Sequence, residues 1–342
     1  MNTRKVTDLD YIDFLVAAPR VVSCTEAARV QPVGPRRAAH DAFTRLLQRL
    51  DPDSTPLWEE AQDHIDRTQG LLILDDTTLD KPYAQQIALV HRHWSGKHHR
   101  VVAGINLVTL LWSDGTAAIP CDYRLFDKPV DGLTKNAHFR AMLATAAARG
   151  FQPRLVVFDS WYSSLDNLKA IHRCGWHWLT RLKSNRLVNL DGTGNRPIRE
   201  VALTPHGTPV HLKGYGFILV FRIDTPDGDT EYWATSRLEM PPRERTQVAE
   251  QSWTIETYHR GLKQFCGVER CQARAARAQR NHIGWAIRAF LRLEYHRIRT
   301  GSSWFTTKLD IIRPAIQQYL TQPSPILYGF MQHSGAHTRP TA

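Results

Sequence analysis

Leu71–Thr78, LLILDDTT, reads as a buried strand that ends on two aspartates. The apolar run is too short for a buried helix, and the acids that follow mark the strand's exit from the core. The pattern returns at Leu155–Tyr162, LVVFDSWY, where the run ends on Asp159. Between the two, Val101–Trp112 reads as a long strand, Ser113-Asp114-Gly115 as a turn and Thr116–Leu125 as the return partner. Lys135–Arg149 is an Ala-rich helix stopped by Gly150, and Ser163-x-x-Asp166 resembles a capping box opening a helix to His172. Trp178–Leu182 is a further strand. Three strands, a helix, then strand–helix–strand predicts a layered α/β core.

Outward from this core the texture changes. Residues 5–67 are helical in pattern and punctuated by Pro19, Pro32, Pro35 and Pro56. Two short helices around VQPVGP, the second opening with Arg36 and Arg37, fit a helix-turn-helix or an ordinary small bundle equally well. Residues 184–240 are rich in Gly and Pro between short runs such as Val210–Leu212, Phe217–Ile223 and Glu231–Thr235, the pattern of an antiparallel β insertion. Helix resumes near Pro242 and continues with breaks to Arg299, and the remainder reads as a frayed tail ending in HSGAHTRPTA.

The composition narrows the function classes. The chain has 342 residues, 42% of them apolar, enough for about two folding units. Its longest apolar run, Val101–Trp112, is interrupted by Gly104 and Asn106, which argues against a membrane span. The opening residues carry acids where a secretory leader needs an unbroken apolar stretch, so a cytoplasmic protein is expected. Five scattered cysteines read as reduced thiols. Cys266 and Cys271 with His259 and His282 make a zinc set only on paper, lacking a second tight ligand pair. No G-x-x-x-x-G-K-[ST] and no G-x-S-x-G occurs, so neither a nucleotide cofactor nor a serine hydrolase is expected.

The formal net charge is +11, and Arg260–Arg299 holds ten Lys or Arg against Glu269 and Glu294, which is +8 of that total. Arg270, Arg274 and Arg277 recur at helical spacing, then Arg288 and Arg292, while Ile287, Phe290, Leu291 and Tyr295 supply an apolar face. A basic face backed by a buried one is the footprint of phosphate-backbone binding, against the alternative of a solvated surface helix.

The acids at the strand ends suggest chemistry. Side chains there project into a shared crevice. On a helix through AEQSWTIETYHRGLKQ, Ile255, Tyr258 and Leu262 form the buried stripe, and Glu256, Arg260 and Lys263 share another face. Grouped carboxylates repel unless a cation lies between them, and two Mg²⁺ ions serve both ends of an in-line phosphodiester displacement. For each acid taken alone, a cap or salt-bridge partner is the favoured reading.

Together, LLILDDTT, LVVFDSWY and WTIETYHRGLKQFCGVERCQ resemble, in order, the three signatures of bacterial insertion-sequence transposases of the DDE class, in the cut-and-paste branch of the IS-four and IS-seven-hundred-and-one groups. The resemblance spans about residues 66–300. It implies a ribonuclease-H-like mixed-sheet core at 68–183 and 241–300, a β-rich insertion at 184–240 that accounts for the 96 residues between Asp159 and Glu256, an N-terminal helical DNA-end-binding domain at 1–67 and a tail at 301–342. By position it implies Asp76, in preference to Asp75, with Asp159 and Glu256 as the catalytic, metal-holding triad, and Lys263 as a phosphate contact. The family's arginine four residues before the glutamate and tyrosine seven before it are Ser252 and Ala249 here, with Arg260 a substitute for the arginine.

The implied activity is cleavage of transposon ends and strand transfer with two Mg²⁺ ions, or Mn²⁺ in their place. The implied partners are the terminal inverted repeats, target DNA and a second copy of the chain on DNA, with the protein among the bacterial nucleoid. If the cut passes through a hairpin, a flipped base needs an aromatic platform, and Trp233 is the candidate, its alternative being a core tryptophan. His98 and His99, with Lys183 and Arg186, are candidates to line the DNA channel. Two other functions remain: a metal-dependent nuclease without strand transfer, and an inactive copy that occupies the ends and represses.

Overall fold

The computed structural model describes residues 6–32, 37–95 and 99–321. Its centre is β1 (Leu71–Asp80), in a mixed sheet of eleven strands among the described residues. β3 (Arg100–Ser113) runs antiparallel to the whole of β1, from Leu71 opposite Ser113 to Asp80 opposite Gly104. β5 (Leu155–Phe158) lies parallel to β1 on its other side, and β6 (Trp178–Leu182) is parallel to β5. β2 (His91–Ser95) and β4 (Ile119–Phe126) share the outer edge of β3. Leu71–Leu74 and Leu155–Phe158 are buried because helices cover both faces of the sheet here, as a continuous apolar run in a parallel strand requires.

One difference from the sequence reading matters later. The strand expected to stop at Leu74 runs six residues further, to Asp80. The long partner β3 offers a ladder along that whole length, and the β-branched Thr77 and Thr78 suit it. Asp75 and Asp76 therefore lie within the strand and not beyond its end.

α6 (Lys135–Ala148) and α7 (Leu165–Arg173) pack together on one face of the sheet. The cap of α7 is Ser164, whose hydroxyl accepts from Asn167 N, not Ser163, whose hydroxyl donates to Ser160 O. α9 (Thr254–Phe265), entered from α8 (Pro242–Ser252), packs on the other face against β1, and α10 (Ala276–Thr300) against β4. A short α5 (Lys128–Asp131) bridges β4 and α6.

The insertion prolongs the core sheet. Its last strand, β11 (Thr230–Thr235), pairs antiparallel with β6 and leads outward through β10 (Gly216–Asp224), β9 (Thr208–Leu212), β7 (Leu187–Asn189) and β8 (Arg196–Pro197). The N-terminal helices α1 (Asp8–Ala17), α2 (Cys24–Arg29), α3 (His40–Arg49) and α4 (Thr55–Ala61) do not stand apart either. α1, α3 and α4 pack on α10, where Tyr11 OH meets His282 Nδ1 at 3.0 Å and Asn281 donates to the carbonyls of Leu47 and Leu50. The turn at 33–36, on which a helix-turn-helix would depend, lies outside the described residues.

This packing corrects the expected basic face. Arg288 is buried and bonds Asp8 and Glu60; Arg292 bonds Glu60, Arg280 bonds Asp127, and Arg297 bonds Glu294. The acids that neutralise α10 come mostly from segments far away in sequence, so a local charge count could not register them. Exposed Arg270 and Arg274 make no ion pair among the described residues, whereas Arg277 pairs with Asp51 at 3.1 Å.

The tail reading is also corrected for residues 304–321, which form α11 (Trp304–Thr321). Trp304 stacks edge-on against Phe290, 4.8 Å between ring centres, and its Nε1 donates to Glu294. A Cβ at Gly261 would lie 2.8 Å from the Trp304 ring, so α9 needs glycine there. Lys308 Nζ donates to the carbonyls of Leu15, Val16 and Ala18, closing the C-terminal end of α1. Residues 322–342 lie outside the description. No described helix is long and apolar enough to cross a membrane.

Candidate active site

Successive residues of a strand point to opposite faces, so Asp75 and Asp76 diverge. Asp76 faces α6. Its Oδ2 accepts from Asn106 Nδ2 of β3 at 2.7 Å and from Lys135 Nζ at 2.7 Å, and its Oδ1 accepts from Tyr162 OH at 2.5 Å. Burial alone would raise this carboxyl, yet the Lys135 ammonium and the hydrogen bonds from Asn106, Lys135 and Tyr162 hold it below the usual range.

Asp75 faces α9. Thr109, its direct partner across the ladder, lies beside Tyr258 of that helix. No side-chain donor reaches the Asp75 carboxylate among the described residues, and its pKa is pushed well up, first by burial, then by the charges of Asp76, Glu256 and Asp159. Negative charge thus gathers around Asp75, and the cation that approaches these acids is Arg181, at Asp159.

Asp159 follows β5 and caps a single 3-10 turn, Ser160–Tyr162, its Oδ1 accepting from Ser160 N at 2.5 Å. The turn ends on Tyr162, stacked on Phe139 at 5.4 Å between ring centres. The Tyr162 bond to Asp76 thus ties the end of β5 to the middle of β1. Asp159 is 43% exposed, and Arg181 Nη2 of β6 approaches its Oδ1 at 3.5 Å.

Glu256 is exposed in the first turn of α9, with no ion pair among the described residues. Ile255, Tyr258 and Leu262 are buried beneath it, with His259 and Gly261. Lys263 Nζ donates to Thr78 O at 2.7 Å and pairs with Glu269 at 3.2 Å, so it pins α9 to β1. Arg260 is exposed and has no ion pair among the described residues.

Asp75, Asp159 and Glu256 fit a divalent cation in their chemistry: hard oxygen donors, among which the half-buried Asp75 has no side-chain donor among the described residues. They are not a closed cage. Among the described residues no three His, Cys, Asp or Glu side chains already stand together as metal ligands. Asp159 is turned towards Ser160 and Arg181.

The remaining candidates divide. Lys183 Nζ lies 5.2 Å over the ring of Trp161, which is 59% exposed two residues after Asp159. Trp233 is half-buried, its Nε1 donating to Glu231 at 2.8 Å and its ring 5.8 Å from the Arg181 guanidinium. His99 is exposed, Arg186 is half-buried, and His98 lies outside the described residues. Sequence reasoning missed Lys135, Tyr162, Trp161, Arg181 and Glu231. Strand alternation across Asp75-Asp76 was the one signal it had for the divergence of those two acids.

The family model described as DDE superfamily endonuclease matches residues 2–217. No curated protein matches the chain. Among solved structures, the cryo-EM structure of a piggyBac transposase synaptic complex with hairpin DNA is similar over 100% of this chain and 78% of that one, at 12% identity and a TM-score of 0.52. This likeness supports the ribonuclease-H-like fold. The crystal structure of the Mos1 strand transfer complex aligns over 52% of this chain and 58% of that one, at 10% identity and a TM-score of 0.20, too low to speak for a common fold.

Proposed function

Since the chain belongs to the DDE superfamily endonucleases, we propose that it is the DNA transposase of a bacterial insertion sequence, of the IS-four and IS-seven-hundred-and-one kind, with Asp75, Asp159 and Glu256 as its reactive carboxylates. The observation that carries this reading is the Asp75 carboxyl, without a side-chain donor among the described residues and pushed up by burial and by the charges of Asp76, Glu256 and Asp159. Asp75 replaces Asp76 in the triad because the Asp76 oxygens are already engaged by Lys135, Asn106 and Tyr162. Opening that network would leave Lys135 without its partner. Asp76 acts instead as a positioning residue that joins β1, β3, α6 and the turn after β5.

The substrate is DNA, the ends of the element and then the target, and the protein works as a pair of copies on it. Asp75, Asp159 and Glu256 would hold Mg²⁺ or Mn²⁺, which would supply activation of the attacking water and stabilisation of the leaving 3′ oxygen. Lys263 fixes α9 on β1 and so sets where Glu256 stands. Arg260, one turn on and exposed, is placed to meet the phosphate backbone. Lys183 with Trp161, and Trp233, offer cation and ring together, a combination suited to unstacked bases. Arg270 and Arg274 add backbone contacts.

The test is end cleavage. Purified protein is incubated with Mg²⁺ and DNA carrying the element's own ends, beside Asp75→Asn, Asp159→Asn and Glu256→Gln. The expected result is cleavage at the ends that disappears in all three variants while DNA binding persists. Cleavage that survives the substitutions overturns the triad, and end binding without cleavage by the unaltered protein favours a repressor.

A further inference from the structure

Arg181 occupies the seam between core and insertion. It lies on β6, directly across the ladder from Trp233 of β11. Two side chains of the insertion hold its guanidinium. Glu231 Oε1 accepts from Nη1 at 2.7 Å, and the Trp233 ring lies 5.8 Å from the guanidinium carbon. The other Glu231 oxygen accepts from Trp233 Nε1 at 2.8 Å, so the carboxylate fixes ring and guanidinium together.

The fork is held on one side and lightly loaded on the other. Nη2 reaches Asp159 at 3.5 Å, a long contact to an oxygen that already accepts from Ser160 N at 2.5 Å. Arg181 is 44% exposed. If its role were to neutralise Asp159, a short two-pronged contact would be expected. The short bond goes to Glu231 instead, and Nη2 stands beside Asp159 with only the long contact. A planar, permanently charged fork beside reactive carboxylates suits a phosphate oxygen, and its advance fixation reduces what binding must order.

We propose that Arg181, held by Glu231 and Trp233, grips a non-bridging oxygen of the phosphodiester that is cut; this rests on the nuclease reading of the neighbouring acids. The insertion thereby contributes to the site through the strand that joins it to the core. Arg181 is the residue that touches substrate, and Glu231 and Trp233 position it.

The experiment compares the wild type with Arg181→Ala, Arg181→Lys and Glu231→Gln on two duplexes. One carries the natural phosphodiester at the cut. The other carries a methylphosphonate there, which replaces one non-bridging oxygen by a methyl group. On the natural duplex Arg181→Ala should cut roughly 100-fold slower, as for loss of a fixed donor to a reacting oxygen. Arg181→Lys should recover less than a tenth of the lost rate, because a point charge does not reproduce the fork. Glu231→Gln should fall between, with binding in metal-free buffer nearly unchanged. The methylphosphonate should slow the wild type strongly and Arg181→Ala much less, a dependence that a purely structural role would not produce. Equal slowing of wild type and Arg181→Ala by the methylphosphonate, or wild-type rates in Arg181→Ala, overturns the proposal. A wild type that cuts neither duplex removes the nuclease reading itself, and the proposal with it.

Discussion

The two faces of β1 treat adjacent aspartates in opposite ways. On the α6 face, Asp76 has three donors, from β3, α6 and the turn after β5, and its carboxyl is held low. On the α9 face, Asp75 has no side-chain donor among the described residues and its carboxyl is pushed up by burial and by neighbouring acids. One face is a closed network of side-chain bonds; on the other, the Asp75 carboxyl has no side-chain donor among the described residues and meets the charge of other acids. Chain neighbours on one strand can thus stand in opposite electrostatic surroundings. What separates them is whether their charge is already answered.

The largest effect that can break this comparison is on chemistry. Asp75→Asn and Glu256→Gln should each lower end cleavage by roughly 1,000-fold, the order expected when several kcal/mol of charge stabilisation is lost, with folding intact. Comparable cleavage by Asp75→Asn and wild type would erase the distinction between the faces. Next comes stability. Asp76→Asn removes charge-assisted bonds worth on the order of 2–3 kcal/mol and should lower Tm by roughly 3–5 °C in a calorimetric scan. Tyr162→Phe, losing one donor, should lower it by less.

A smaller effect sharpens the comparison through pH. A carboxyl raised in the folded state stabilises the fold below its unfolded value, near pH 4, and that contribution is lost as pH rises through its folded value. In metal-free buffer, Asp75→Asn should therefore match the wild type near pH 4 and exceed its Tm at pH 7. Asp76→Asn should diverge downward over the same interval, since a depressed carboxyl contributes above its unfolded value. The smallest effect concerns the basic residues. Arg274→Ala should weaken DNA binding a few-fold and reduce the slope of log affinity against log salt by about 1, with no change in Tm. Arg292→Ala should do the reverse.

The core was legible because its signal is local. LLIL and LVVF must be buried, so their neighbours in sequence became neighbours in the sheet, and the Ile255–Tyr258–Leu262 stripe placed Glu256 on an outer face. The β-rich texture of the insertion was legible for the same reason, though its continuity with the core depends on the β6–β11 ladder, which no local pattern announces. The misreadings all involve partners distant in the chain. Arg288 looks free until Asp8 and Glu60 are brought to it, and Lys308 looks like tail until the end of α1 needs its carbonyls closed. The partners of Asp76, Lys135 and Tyr162, likewise stand 59 and 86 residues away.

The most direct test of the account is the thermal stabilisation given by a divalent cation, since a ligand that binds only the folded state raises Tm with its concentration. Mg²⁺ and Mn²⁺ would be titrated into wild type, Asp75→Asn and Asp76→Asn in the absence of DNA. The account predicts a rise in Tm for the wild type, none for Asp75→Asn, and a rise of wild-type size for Asp76→Asn from its lower starting point. A rise that survives in Asp75→Asn and vanishes in Asp76→Asn would contradict it.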